Sequence, residues 1–191
     1  MSNFNLIGDV SWDREELIKS LQEFSELYEK RPIRNNNFGM KSPHLFSMWF
    51  ALKSLNPKVI IESGVYLGLG TWIFENACPN AELHCIDLNL DQIIWRSKNA
   101  RYYDSDFSTI DWSNLPKNDT VLFFDDHQNA YDRLIIAKWY GFLHVFFEDN
   151  YPALQGDCYS IKKVLMGSYL KTESLSQKEK FYRRLGEFIG I

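Results

Sequence analysis

The sequence predicts an α/β fold, a doubly wound and mostly parallel sheet with helices on both faces. Short apolar runs recur through the middle of the chain, at Val59 to Ile61, Glu82 to Ile86, Ala100 to Tyr103, Thr120 to Phe124 and His144 to Phe147. Strands covered on both faces read as such continuous runs rather than as alternating ones. Helical patterns separate most of these runs, and parallel strands need crossovers of that kind. The runs also end at or near acids, namely Glu62, Asp87, Asp106, Asp125 and Glu148-Asp149. One acid closing a strand means little, since polar residues begin most loops. Five in succession converge on one edge of the sheet, where ligands bind in folds of this class.

Residues 12 to 30 carry Leu17, Leu21, Phe24 and Tyr28 at the spacing of an amphipathic helix. Asp13 and Glu16 have capping-box spacing at its start, and Arg31-Pro32 ends it. Asn35 to Asn37 with Gly39 mark a loop. Ser42-Pro43 opens a second helix, with Ser42 as N-cap and Pro43 at the first helical position. Its apolar residues from Leu45 to Leu52 cover most faces, which predicts burial, and it stops at Asn56-Pro57. After the first strand a helix begins near Leu69, runs through Ala77 and breaks at Cys78-Pro79-Asn80. Asp91 to Lys98 reads as helix, Ser113 to Asp119 as turns, and Ala130 to Tyr140 as a helix stopped by Gly141. Beyond Tyr151 the pattern weakens. Tyr159 to Leu170 and Gln177 to Ile189 read as helices, and no alternating strand pair stands out, which leaves the end of the sheet open.

At 191 residues the chain is expected to form one domain with a substantial core. Within it, helices occupy 1–57, the ligand-binding core 58–151 and a C-terminal segment 152–191. A net charge of −4, with no clustered basic stripe, argues against a nucleic-acid partner. No apolar run approaches the roughly 18 residues of a membrane span, and the polar start Met1-Ser-Asn-Phe-Asn is unlike a signal peptide. Cys78, Cys85 and Cys158 are odd in number and lack metal-finger spacing, which reads as reduced thiols in a cytoplasmic protein. Trp49, Trp72, Trp95, Tyr102, Tyr103 and Trp112 are candidates to line a pocket, with core packing the competing use. A homo-oligomer stays open.

The segment Glu62-Ser-Gly64-Val-Tyr66-Leu-Gly68-Leu-Gly70 follows a strand and precedes a helix. In that context glycines let backbone approach a ligand and aim a helix N-terminus at it. These residues resemble the first motif of class I S-adenosylmethionine-dependent methyltransferases, whose core is Rossmann-like. Tyr66 in place of a middle glycine is similar to the catechol-type O-methyltransferases. Asp87-Leu-Asn89-Leu-Asp91 resembles that group's second-strand motif. Asp125 with Tyr131, and Asp149-Asn150, resemble its divalent-metal motifs, and Glu148-Asp149 resembles the acidic pair of the cephalosporin-hydroxylase-like and macrolide sugar O-methyltransferases. The resemblance spans about residues 40 to 151.

The resemblance implies a cofactor site for S-adenosyl-L-methionine made by Glu62, Gly64, Tyr66, Gly68, Asp87, Asp106 and Phe107. Glu62 and the glycine backbone would hold its methionine part, Asp87 the ribose hydroxyls, and Asp106 with Phe107 the adenine. It also implies a metal site at Asp125, Glu148, Asp149 and Asn150, whose oxygen-only ligands suit Mg²⁺ or Ca²⁺, with Mn²⁺ an alternative. Such an ion would acidify the hydroxyl of a small-molecule or sugar acceptor. Loop hydrogen bonds and helix caps without metal are the competing reading. The chain departs from the catechol-type pattern at Gln128, where those enzymes carry a lysine base. Asp125 and His127 are therefore the catalytic candidates, His127 as the substitute base. Two other functions compete: a Rossmann-type nucleotide-binding enzyme, and a non-catalytic module that keeps the cofactor cradle.

Overall fold

The computed structural model describes residues 13–152, 155–156 and 158–165. Five strands form one parallel sheet: β1 (Val59–Ser63), β2 (Glu82–Ile86), β3 (Ala100–Tyr103), β4 (Thr120–Phe124) and β5 (His144–Phe147), in the order β3-β2-β1-β4-β5. Val59 pairs with Glu82 on one side and Thr120 on the other. The chain therefore winds outward from β1 to β3, returns to β4 beside β1, and winds outward again to β5. Strand order reverses between β1 and β4, which makes that crevice the switch point.

Three helices precede the reversal: α1 (Arg14–Glu29), α2 (Ser42–Leu55) and α3 (Leu69–Ala77). They bury Phe24, Leu45, Leu52, Ile73 and Phe74 against Ile60, Leu83, Val121 and Phe123 on one sheet face. After the reversal, α4 (Ala130–Tyr140) covers the opposite face. There Ala137 packs with Val59, Ile61, Leu122, Phe124, Phe107 and Trp112. Crossovers of one hand that change direction along the sheet must also change face. Side-chain alternation sorts β1 accordingly, with Ile60 toward α3 and Val59 and Ile61 toward α4. Each fully buried large apolar side chain, such as Phe74 or Leu122, stabilises the fold by about 1.5–3 kcal/mol.

Most expected boundaries hold, and two are corrected. Asp13 caps α1, its Oδ1 accepting from Glu16 N–H at 2.8 Å. Asn56 ends α2 in the left-handed conformation just before Pro57, and Gly141 ends α4 the same way. Ser42, however, is the first residue of α2 and Lys41 its cap, with no side-chain bond to the helix N-terminus. Between β2 and β3, only a 3₁₀ turn at Leu90–Gln92 replaces the helix expected over Asp91 to Lys98. There the N–H groups of Ile94 and Trp95 both donate to the Leu67 carbonyl at 3.1 Å. That pairing with the glycine turn takes the donors a helix would use. A short α5 (Ile161–Leu165) begins the helix expected from Tyr159. The rest of that helix, and the one expected over Gln177 to Ile189, lie outside the described residues. No described helix is long and apolar enough to cross a membrane.

The glycine turn is packed backbone against backbone. A β-carbon at Gly64 (φ +94°) would overlap the Asp125 carbonyl, and one at Gly68 (φ +97°) the Trp95 carbonyl. Gly141 (φ +84°) has open space around it. Gly141→Ala is thus expected to cost only the left-handed penalty of about 1–2 kcal/mol. Gly64→Ala adds a collision between two strand ends, so its urea midpoint should fall well below that of Gly141→Ala. Equal midpoints would show that the β1–β4 junction yields freely.

Candidate functional site

At the carboxyl ends of β1, β2 and β4 lies a cleft of about 360 Å³, within the usual range of small-molecule sites. Ser63, Gly64 and Tyr66 line it from the first strand end, Ile86 to Leu88 from the second, and Asp125 to Gln128 from the fourth. Phe38, 89% exposed, and Gly39 reach it from the loop between α1 and α2.

Asp87 organises the glycine side. Its Oδ2 accepts from the Val65 and Tyr66 N–H groups at 3.0 and 2.8 Å. Its Oδ1 accepts from Asn89 N–H at 2.9 Å and Gln92 Nε2 at 3.1 Å. A carboxylate has about four acceptor sites, and all are used. Tyr66 holds φ +52°, a left-handed backbone that its two-residue grip by Asp87 compensates.

Glu62 lies beneath the turn rather than in the cleft. Alternation along β1 sends it to the α3 side, where it is 2% exposed. Thr71 Oγ1 donates to its Oε2, and the Thr71 N–H also bonds the carboxyl. Glu62 thus caps α3, whose N-cap residue, Gly68, has no side chain. A β-carbon at Gly70 would overlap Glu62 Oε1, so this glycine admits the capping carboxyl. Burial pushes the Glu62 pKa up to about 8.

Asp106 and Phe107 stand differently from expectation. Phe107 is fully buried, stacked on Trp112 and edge-on to Phe124, and its ring does not reach the cleft. Trp49, Trp72 and Trp112 are likewise core residues. Asp106 lines the cleft, but its carboxylate is taken by Arg133, with Nη1 and Nη2 donating at 2.9 and 2.6 Å. The same guanidinium, 5% exposed, donates through Nε to Asp126 Oδ2 at 2.9 Å. Asp126 Oδ2 also accepts from Ser63 Oγ at 2.7 Å. Arg133 therefore ties α4 to the loops after β3 and β4 and, through Asp126, to the end of β1. Its bonds hold the Asp106 pKa well below the usual carboxylate range.

The acids at the ends of β4 and β5 divide. Asp125, His127 and Asp149 bring one ligand atom each within 4.8 Å of one another. His127 Nδ1 is 3.3 Å from Asp149 Oδ2. Burial, then Glu148 and Asp149, push the Asp125 pKa up to about 8, and burial with Glu148 raises Asp149 to about 6. Glu148 bonds His44 of α2 through one oxygen while its carboxyl stays against Asp149 and Asp125. Asn150 Oδ1 accepts from the Lys162 N–H of α5 at 3.0 Å. Of the four expected metal ligands, Asp125, Glu148 and Asp149 lie together, His127 joins them, and the Asn150 side chain bonds α5.

Sequence reasoning missed Arg133, His44, Gln92, Phe38 and Leu88. Arg133 did leave a signal: it shares the buried stripe of α4 with Ala130 and Ala137, where a surface arginine would not lie. Nothing local marks His44, whose partner is in β5's following loop.

This architecture, with its cleft at the switch point, defines a doubly wound, Rossmann-like α/β fold. Among solved structures, the apo structure of CmcI-N160 matches with a TM-score of 0.54 and 17% identity, covering 78% of this chain and 70% of that one. The O-methyltransferase TomG from Streptomyces achromogenes, involved in tomaymycin synthesis and solved with SAM, matches with a TM-score of 0.51 and 15% identity, covering 95% of this chain and 80% of that one. No family model matches the sequence, and no curated protein matches it.

Two outcomes test this geometry. Arg133→Met leaves Asp106 and Asp126 without their cation, which should destabilise by about 3–5 kcal/mol in urea; a loss under about 1 kcal/mol would mean solvent replaces it freely. Glu62, ordinarily near 4.5, stabilises the fold fully below that pH and loses the contribution as pH rises through about 8. Melting curves from pH 5 to 8.5 should therefore slope downward, and Glu62→Gln should make the slope shallower, leaving the part due to Asp125 and Asp149. Identical slopes would show that Glu62 keeps no proton.

Proposed function

We propose that this protein is an S-adenosylmethionine-dependent O-methyltransferase acting on a hydroxyl of a small molecule or sugar, assisted by a divalent cation. The observation that carries the reading is one cleft with two chemically distinct walls, the Asp87-bound glycine turn and the Asp125–His127 edge. The first wall takes the cofactor and the second the acceptor.

Asp87 receives the ribose diol by giving up Gln92, the one donor of its four on a side chain that can swing away. Leu88 and Phe38, both highly exposed at the cleft, offer apolar surface to a ring. Asp106 meets the adenine through its loop backbone, since Arg133 occupies its carboxylate. Glu62 acts from below, fixing the N-terminus of α3 and with it the turn. S-adenosylmethionine supplies an electrophilic sulfonium methyl, and a cation on Asp125, His127 and Asp149 would orient the acceptor hydroxyl and lower its pKa. The closeness of Asp125, His127 and Asp149, with one ligand atom each within 4.8 Å of the others, supports that fit. Gln128 holds no titratable proton, so activation of the acceptor falls to the trio. The buried free cysteines are in keeping with a reducing, cytoplasmic setting.

Calorimetry with S-adenosylhomocysteine and with NADH separates this from a dinucleotide-binding enzyme; heat with the first and none with the second is expected. Asp87→Ala should weaken S-adenosylhomocysteine at least about tenfold, and should also lower the melting temperature, because it frees the Val65 and Tyr66 N–H groups. Leu88→Asp isolates binding from folding, with affinity falling and melting unchanged. Absence of heat and of thermal shift at millimolar S-adenosylhomocysteine would overturn the assignment. Cofactor binding without methyl transfer to any hydroxyl acceptor in a broad panel would point to the non-catalytic module.

A further inference from the structure

We infer that the ribose diol of the cofactor is shared, Asp87 taking one hydroxyl and Gln92 the other, which makes Gln92 a specificity residue. The inference rests on the cofactor reading above and deepens it by dividing one contact between two side chains.

Acceptor capacity sets the division. A carboxylate offers about four acceptor places, two on each oxygen. On Asp87, Oδ2 is filled by the Val65 and Tyr66 N–H groups at 3.0 and 2.8 Å. Both belong to the glycine turn, whose backbone abuts the Asp125 and Trp95 carbonyls and has little room to shift. Oδ1 holds the Asn89 N–H at 2.9 Å and Gln92 Nε2 at 3.1 Å. Three of the four donors are therefore main chain and stay where the turn and the strand end put them. The Gln92 carboxamide alone can leave, and its departure opens one place, not two. A diol brings two O–H donors, so the second hydroxyl needs another acceptor.

Gln92 is placed to be that acceptor. It closes the 3₁₀ turn Leu90–Gln92, and the following Ile94 and Trp95 N–H groups bond the Leu67 carbonyl of the glycine turn. Its backbone is thereby tied to the cradle, while its half-buried side chain lines the cleft beside Asp87. A carboxamide both donates and accepts, so the group that leaves Oδ1 can receive a hydroxyl on Oε1. The neighbouring carboxylate on this side, Asp106, is filled by Arg133 and Ser108. Asp126 is likewise held by Arg133 and Ser63. Gln92 thus blocks Asp87 when the cleft is empty and completes the diol receptor when it is full.

The test titrates the full chain by calorimetry with S-adenosylhomocysteine and with its two monodeoxy forms, each lacking one ribose hydroxyl. A hydroxyl bonded to a carboxylate contributes more than one bonded to a neutral amide. In the parent chain one deoxy form should therefore bind about tenfold or more weakly, and the other about three- to tenfold. Gln92→Leu should bring the smaller ratio to within about twofold of unity and leave the larger in place. Gln92→Glu keeps an acceptor and should preserve the smaller penalty. Ser105→Ala, at another hydroxyl lining the cleft, should change neither ratio. Ratios are compared because losing Gln92 removes both a competitor and a partner, which moves absolute affinity in opposite directions. Melting temperatures of each variant verify folding. Deoxy forms that bind as tightly as S-adenosylhomocysteine, unchanged ratios in Gln92→Leu, or loss of the smaller penalty in Ser105→Ala instead would each overturn the inference and leave the cofactor assignment standing. Absence of heat with S-adenosylhomocysteine would overturn both.

Discussion

Arg133 is the tie on which the carboxyl edge of this sheet depends. Its guanidinium lies against the rings of Phe107 and Phe124 and binds carboxylates from two loops, one of which also holds Ser63 of β1. Three strand ends are thereby set relative to one another by one side chain from α4. A planar fork with five donors can do this, whereas a lysine offers a single point charge. Because the pair of aspartates is held in place by the arginine, neither is free for ligand chemistry. The division of labour among the acids follows: Asp106 and Asp126 are structural, and Asp125 and Asp149, beside Glu148 and without an arginine, are left with raised pKa values.

The glycine turn shows a second constraint. Its glycines are needed before any ligand is considered, because Gly64 and Gly68 abut carbonyls of Asp125 and Trp95, and Gly70 admits the Glu62 carboxyl. Close approach to a cofactor and close approach to neighbouring backbone ask for the same residue. The turn is thus built by packing, and its amide groups at 65 and 66 are aimed by Asp87. A preformed cradle of this kind loses little entropy when a ligand enters.

The sheet was legible in the sequence because the three inner strands are buried runs and the two half-buried edge strands are short stretches with distinct ends. The same logic placed Glu62, Asp87, Asp106, Asp125 and Asp149 at one edge. What could not be read was direction. Glu62 and Ser63 are adjacent, yet alternation sends one under α3 and the other to the cleft. Phe107 beside Asp106 looks the same in sequence whether its ring meets a ligand or Trp112. Asp91 to Lys98 holds no proline or glycine and reads as helix, but hydrogen bonds to Leu67 override it. Nor could sequence show that Glu148 bonds His44, 104 residues away, or that the Asn150 side chain is taken by α5.

The central position of β1 has a consequence for how the chain acquires its structure. Val59 to Ser63 can pair with β2 soon after synthesis, but its other flank waits for Thr120 to Phe124. Until β4 arrives, an uncharged Val-Ile-Ile edge stands open, the feature that makes nascent parallel sheets slow to mature and prone to self-association. Ring contacts running from His84 through Tyr103 and Trp112 to Phe107 end on Phe124 of β4, so the aromatic residues between β2 and β4 give the arriving strand an apolar face. The bulky residues of the connecting segment thus act as a scaffold on which the last inner strand docks.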